Sequence, residues 1–377
     1  MNTTQETRQL LQRFTSLMPT LHQKRTFEAF LLAFLSPYRS ALPEHNPLRS
    51  ASSISRFLNH YSWPTRALVR HIRSLLFDAL WEASKHGRNP FLKVIVDVTC
   101  IEKTGRFAGL GNWINAMHGK VGLHLVMVYL ELGRIRVPWN FRVWNGKGTT
   151  APSRLALRML ASLPKSLTGR CRVVVLADAW FASKGFIEGV HKRDFQALVG
   201  IRADRRTVED KPLSRLKRKG TKVMLKGLAI PMWASWFHLT FENGDKEQRF
   251  IVSTFPMAGS QLVRLGRSRW RIESFFKTIK YTFGFIHCAQ NTRLGILRYL
   301  LLALLAFVLA FVSRPAPPPG EHLAWTQAAQ HAAATFLPVV LSLVLLAEVE
   351  KRRTLLEQLG MTVHIRRFQP SAHKCKI

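Results

Sequence analysis

The chain has 377 residues, and its 56 Lys and Arg against 22 Asp and Glu give a net charge of +34 and a pI near 11.2. This excess favours a polyphosphate partner, because each cation that neutralises a phosphate releases a condensed counterion. A membrane-surface or ribosomal role would also explain the charge. However, 47% hydrophobic residues and ten Trp indicate a large folded core rather than a basic tail, and the length predicts two or three domains.

The four cysteines argue against a disulfide framework or a zinc finger. Cys100, Cys171, Cys288 and Cys375 are scattered, with no CxxC motif and no His at zinc-binding spacing. This distribution is typical of a reducing cytosol. The polar N-terminus lacks the apolar segment of a signal peptide.

Two apolar runs, residues 299–312 and 336–347, are shorter than the roughly 18 residues expected of a membrane span. We therefore interpret both as buried core helices. The sequence predicts a cytoplasmic protein without a membrane partner.

Residues 1–88 are predicted to be a helical, DNA-binding domain. Residues 26–36 are amphipathic, residues 52–58 follow a run of serine N-cap candidates, and Pro64 precedes a helix over 65–79. The basic residues of the last two helices are Arg56, Arg66, Arg70 and Arg73. Two short helices with Arg-rich faces suit a helix-turn-helix-like element, although a helical bundle with a solvated basic face has the same pattern.

A β-rich block follows, in an α/β order. We predict strands over 92–98, 123–132, 135–143, 172–177 and 195–201, with helices over 152–163 and 183–191. This order resembles the ribonuclease H-like fold, a mixed five-stranded sheet with helices on both faces. Short alternating strands with basic turns at about 202–258 indicate an inserted β-subdomain. The catalytic domain would then span 89–315, and the proline-rich stretch 314–320 would lead to a C-terminal helical region, 316–377.

Two acidic residues occupy strand ends. Asp97 lies near the end of the first strand, and Asp178 directly follows the apolar strand 172–177. A carboxylate there is costly unless it binds something, and ligand sites form at the carboxyl ends of strands. The alternative is that each Asp caps a turn or the next helix.

The third acid lies on a cationic helix. Arg269, Glu273, Lys277 and Lys280 are spaced by four, four and three residues, so they should share one helical face. Ile272, Phe276 and Ile279 should turn toward a core. Glu273 alone would fit an ordinary surface salt bridge.

Three converging carboxylates would repel one another unless divalent cations neutralised them. With no His or Cys nearby, Asp97, Asp178 and Glu273 favour Mg²⁺, or Mn²⁺, over zinc. Two such ions about 4 Å apart can clamp an in-line phosphoryl transfer.

At these residues the chain resembles a DDE-type transposase of bacterial insertion sequences, in the subgroup with a β-strand insert in the ribonuclease H-like core. That family's helix signature is Tyr, two residues, Arg, three residues, Glu, six residues, Lys; Arg269, Glu273 and Lys280 match it. Asp97 in DVT and Asp178 in LADAWFAS match the two aspartate motifs, 81 residues apart, and 95 further residues lead to Glu273. The resemblance covers about residues 90–315. Gly266 departs from it, because it stands at the signature Tyr, which contacts phosphate in relatives; Arg264 or Arg267 would have to substitute.

The resemblance implies a cut-and-paste transposase, dimeric on DNA, that binds terminal inverted repeats and joins them to target DNA. Asp97, Asp178 and Glu273 would be the catalytic and metal-binding residues. The expected DNA contacts are Arg269, Trp270, Lys277, Lys280, Arg56, Arg66 and Arg70. Trp180 and Trp270 would stack on a displaced base or pack in the core, whereas Glu102 and Asp204 are expected to be peripheral.

Two other functions remain open: a decayed or repurposed DNA-binding copy, which Gly266 favours, and a metal-dependent nuclease that cuts without joining. The resemblance also implies a bacterial protein associated with the nucleoid when bound to DNA.

Overall fold

The computed structural model describes residues 4–36, 46, 48–103, 109–240, 244–314 and 324–362. Most of the predicted proline-rich linker and the final residues, with Cys375, lie outside this part of the chain. The N-terminal helices are α1 (Thr4–Thr15), α2 (Leu21–Leu35), α3 (Ala51–Asn59) and α4 (Thr65–Ser84).

Nine strands of the described residues form one sheet. They are β1 (Phe91–Glu102), β2 (Ile114–Met117), β3 (Lys120–Leu132), β4 (Ile135–Val143), β5 (Arg172–Ala177), β6 (Gln196–Ile201), β7 (Thr221–Met224), β8 (Pro231–Thr240) and β9 (Lys246–Ser253). Helices α5 (Pro152–Leu160), α6 (Lys165–Arg170) and α7 (Lys184–His191) connect the central strands. The remaining helices are α8 (Gly259–Ser268), α9 (Arg271–Lys277), α10 (Arg293–Ser313), α11 (Trp325–Phe336), α12 (Pro338–Lys351) and α13 (Arg353–Gln358).

The five predicted strands form the centre of the sheet in the order β4-β3-β1-β5-β6, so the predicted fold class is confirmed. The first three are antiparallel, whereas β5 and β6 run parallel to β1. Every residue of β3 from 122 to 132 is buried. Because alternate residues of a strand point to opposite faces, helices cover both sides of the sheet there.

The inserted strands extend this sheet instead of forming a separate one. β9 pairs antiparallel with β6, β8 pairs with β9, and β7 pairs with β8. The edge of β6, which would otherwise expose unpaired backbone groups, is thereby covered.

Helices from both ends of the chain pack together around α10. This helix contacts α2, α3, α4 and α11. It is the one helix of the described ranges long and apolar enough by itself to cross a membrane, and the bent pair α11–α12 passes the same test only jointly. Most of α10 is buried inside the protein, so it is a core helix, as predicted. The same prediction for residues 336–347 is wrong over most of α12, where Val344 is buried but Val339, Leu343, Leu345 and Leu346 are exposed.

Arg298 fixes α10 to the turn between α3 and α4. Although it is only 4% exposed, its guanidinium donates to the carbonyl oxygens of Leu58 at 3.0 Å and Tyr61 at 2.9 Å. It also lies 4.1 Å from the centroid of the Trp63 ring. Burial lowers the pKa of Arg298 to about 10. The backbone carbonyls thus replace the water that a buried cation loses.

The basic residues of α3 and α4 divide into two groups. Arg56, Arg66 and Arg70 are exposed, so they are accessible to a partner. Arg73, expected on the same face, is half-buried over the ring of Trp139 in β4, at 5.6 Å from its centroid. Arg73 therefore packs α4 against the sheet.

Candidate active site

Asp97 and Asp178 lie on neighbouring parallel strands at equivalent heights. The register pairs Val96 of β1 with Ala177 of β5, so the next residue of each chain segment is the aspartate. Adjacent strands are about 4.8 Å apart. The two carboxylates therefore lie side by side where β5 ends. The predicted strand-end position of Asp97 is wrong, because β1 continues to Glu102, whereas Asp178 does directly follow its strand.

Helix α9 brings Glu273 to the same place. The guanidinium of Arg269 donates from Nη1 to Asp97 Oδ2 at 2.5 Å and from Nη2 to Glu273 Oε1 at 3.3 Å. Arg269 thus connects the helix to the first strand, and the Arg269 to Glu273 pair has the i,i+4 spacing seen in the sequence.

Of the three carboxylates, Asp97 has the pKa that its surroundings change most. Burial raises its pKa to about 7, Arg269 opposes the rise, and Asp178 and Glu273 add to it. Since Asp178 and Glu273 both act electrostatically on Asp97, the three acids form one cluster.

The remaining carboxylates are less buried. Asp178 is half-buried, and its Oδ1 accepts from the backbone N–H of Trp180 at 3.1 Å, so it also caps the short 3₁₀ turn Ala179–Phe181. The side chain of Glu273 is 52% exposed. A cavity of 310 Å³ is lined by Asp178, Glu273, Arg269 and Trp270.

Gly200 lets β6 approach the segment that carries Asp178. A Cβ at position 200 would lie 2.9 Å from the backbone nitrogen of Ala179 and 3.3 Å from the carbonyl carbon of Asp178. Sequence reasoning missed this residue, although a glycine inside a strand is a known sign of close backbone approach.

The helix of the Arg, Glu, Lys signature is not one regular α-helix. Arg269 and Trp270 form a tight turn between α8 and α9, where Glu273 N–H donates to Trp270 O. After Lys277 the backbone passes into a π-helical turn, Thr278–Thr282. The predicted single helical face over 269–280 is therefore wrong in its backbone, although Ile272 and the two other predicted apolar residues are buried.

The two signature lysines lie at different depths. Lys277 is exposed. Lys280 is half-buried, and burial together with Lys120 lowers its pKa. Cys100 and Glu102 also act electrostatically on Lys280, whereas neither lysine contributes to the pKa of Asp97. Lys280 thus lies beyond the carboxylate cluster, toward the end of β1.

The tryptophans flank the cluster in different surroundings. Trp180, at 38% exposure, makes edge contacts with Trp144 and His118 at centroid distances of 6.3 and 6.0 Å. Trp270 packs edge-on against Phe237 at 5.8 Å and lines the cavity. Of the other acids, Glu102 pairs with Lys120, and Asp204 pairs with Arg202 at the surface.

Gly266 has a packing role. It lies in the last turn of α8, and a Cβ there would meet Ile251 Cδ1 at 3.0 Å. The signature Tyr does not fit unless Ile251 moves. Arg264 lines a different cavity. Arg267 lies 5.4 Å from the centroid of Phe237, a ring that lines the carboxylate cavity.

Within the described residues, no three His, Cys, Asp or Glu side chains are placed so as to enclose a metal ion. Arg269 instead supplies the positive charge between Asp97 and Glu273. The chemistry of the donor set still fits a hard divalent cation, because all three donors are carboxylates.

Comparisons with known proteins identify the family and the fold of this chain. The family model of the transposase DDE domain matches residues 89–309, and the chain belongs to that family. A piggyBac transposase, solved by cryo-EM as a synaptic complex with hairpin DNA, has the same fold. Its identity to this chain is 10%, the match covers 98% of this chain and 85% of that one, and the TM-score is 0.50. No curated protein sequence matches significantly.

Proposed function

We propose that this transposase cleaves DNA at the ends of its own element and joins the freed 3′ hydroxyl to target DNA. The observation that carries the proposal is the pairing of Arg269 with both Asp97 and Glu273 beside a cavity that Asp178 and Glu273 line. Family membership supports the reaction class.

We assign Asp97, Asp178 and Glu273 as the residues that would hold Mg²⁺ or Mn²⁺. A pair of such ions would activate the attacking oxygen and stabilise the leaving one. Without the ions, Arg269 balances the charge of Asp97 and Glu273. For these carboxylates to bind metal, Arg269 must release at least one of them. Its guanidinium is then free to contact a phosphate oxygen.

We assign DNA contacts both to residues around the cavity and to the N-terminal helices. Lys277 is placed to contact phosphate beside Glu273, and Arg267 replaces the signature Tyr. The exposed Trp180 offers its ring to an unstacked base, while Trp270 shapes the wall of the cavity. Arg56, Arg66 and Arg70 would bind the duplex farther from the cut.

The partner is double-stranded DNA. The solved piggyBac neighbour is a synaptic complex with hairpin DNA, and we extend to this chain only the expectation that it also binds DNA ends, as a homodimer. The net charge of +34 supports this proposal, since it favours a polyanionic partner.

The test is incubation of the purified protein with labelled end DNA and Mg²⁺. Cleavage followed by joining supports the proposal. Cleavage without joining would identify a nuclease, and binding alone would identify a non-catalytic DNA-binding protein. DNA flanking the gene supplies the substrate, because the ends should lie there.

A further inference from the structure

Six arginines surround two adjoining cavities beside α9, outside the carboxylate cavity. They are Arg134, Arg136, Arg172, Arg264, Arg271 and Arg314, which we call the arginine belt. One cavity has a volume of 630 Å³ and the other 310 Å³, and Arg271 lines both. Arg271 therefore joins the two cavities, and the five other arginines surround them.

The belt and the carboxylates lie on different sides of the α8–α9 segment. Arg269 and Glu273 face the carboxylate cavity, whereas Ser268, Arg271 and Ser274 line the belt cavities. These two sets line different cavities, so they point away from the segment in different directions.

Aromatic rings hold two belt arginines in place without neutralising them. The Arg172 guanidinium lies 5.2 Å from the centroid of Phe91 and 5.1 Å from that of Phe255. Arg314 lies 5.6 Å from the centroid of Trp325. Cation–π contacts orient a guanidinium and leave its charge available.

Glu131 is the acidic residue that neutralises part of the positive charge of the belt. This residue is 3% exposed and pairs with Lys93 at 2.8 Å, with Arg271, and weakly with Arg136. Among the described residues, no other Asp or Glu lines either cavity. The other four belt arginines form no ion pair within the described ranges, so their charge faces an external partner.

We propose that the arginine belt binds the phosphate backbone of a second DNA duplex, separate from the duplex at the carboxylates. Guanidinium groups match phosphate oxygens in a bidentate geometry. A surface that joins two cavities suits an extended polyanion better than a single small anion. The inference rests on the proposed function only in that a first duplex occupies the carboxylate cavity.

The test compares two triple variants with the wild type. The belt variant is Arg134→Gln/Arg264→Gln/Arg314→Gln. The matched control is Arg206→Gln/Arg352→Gln/Arg353→Gln, which removes three exposed arginines that pair with Asp210, Glu348 and Glu350. Native mass spectrometry counts short duplexes per chain at saturation in EDTA, where no cleavage is needed.

We expect the wild type and the control to bind one duplex more per chain than the belt variant. The slope of log Kd against log salt should fall by about 0.9 for each phosphate that the belt variant no longer neutralises. Equal duplex numbers in all three proteins would overturn the inference. Equal numbers with weaker binding by the belt variant would also overturn it, because the belt would then extend the first duplex's path.

Two measurements keep this test independent of folding and of the proposed reaction. Thermal unfolding reports whether the belt variant is folded, and Arg134→Gln/Arg264→Gln, which keeps the Arg314 contact with Trp325, should lose the same duplex. Cleavage of end DNA is measured separately. A wild type that binds the extra duplex without cutting would refute the proposed reaction and leave this inference standing.

Discussion

Arg269 holds Asp97 and Glu273 at once, through two nitrogens of one guanidinium at 2.5 and 3.3 Å. Planar, two-pronged donation is specific to arginine. We expect Arg269→Lys to keep one partner at most and to reduce cleavage about 10²–10³-fold, the usual cost of removing one preorganised electrostatic group.

Single-turnover cleavage measures this loss. The matched control is Arg202→Lys, which changes an exposed arginine that donates two hydrogen bonds to Asp204. Unchanged rates in the Arg269 variant would exclude a role in the reaction.

Replacing Asp97 with Asn should stabilise the metal-free protein while abolishing cleavage. The pKa of Asp97 is raised from 3.8 to about 7 in the folded protein. Above pH 4 the unfolded chain ionises before the native one, so the free energy of unfolding falls as the pH rises to 7. The cost at pH 8 is at most about 4 kcal/mol.

Urea unfolding of both proteins at pH 5 and pH 8 measures this effect. The advantage of Asp97→Asn should be larger at pH 8. An equal advantage at both values would show that Asp97 ionises normally. DNA binding in EDTA should be unchanged.

Gly200→Ala should disturb Asp178 from the neighbouring strand. The added Cβ would press on the backbone of Ala179, and overpacking of this kind costs about 1–3 kcal/mol. We expect a lower melting temperature and slower cleavage. Gly185→Ala is the matched control, since nothing lies within 4 Å of its added Cβ and helix α7 tolerates alanine. Equal behaviour of the two variants would remove Gly200 from the site.

Restoring the signature tyrosine should harm this protein. Gly266→Tyr must displace Ile251, at an expected cost of about 1–3 kcal/mol. Ile251→Ala in the same chain should recover part of that loss, which a double-mutant cycle in thermal unfolding would detect. A more active Gly266→Tyr single variant would instead indicate that the natural glycine impairs the site.

Arg298→Met should destabilise the helical region strongly. It leaves several buried carbonyl oxygens without donors, including those of Leu58 and Tyr61, and removes the Trp63 contact, so we expect a loss of about 3–5 kcal/mol. Hydrogen exchange of the α3–α4 turn should accelerate as well. Arg293→Met, an exposed position on the same helix, should cost below about 1 kcal/mol.

The sequence predicted the central sheet because its strands are long apolar runs. Such runs indicate buried strands even when the segments that pack against them are unknown. Asp97 and Asp178 stood out for the same reason, as charges at the ends of such runs. The Arg269 to Asp97 contact joins residues far apart in the chain, and no local pattern encodes it.

Two other features were hidden by apolar surroundings. Glu131 lies in a buried strand and Arg298 in the most apolar helix, and sequence reasoning missed both. Their partners come from distant segments. The π-helical turn after Lys277 was equally unpredictable, since the signature spacing fits a regular helix.

The buried anchor at Arg298 has a mechanical consequence. The exposed arginines of α3 and α4 cannot swing independently of the sheet, because the turn between these helices is fixed to a helix that directly follows the Glu273 segment. A DNA duplex bound by Arg56 and Arg66 would therefore lie at a fixed distance from the acidic cavity. That distance would determine how far from the bound arginines the strand is cut.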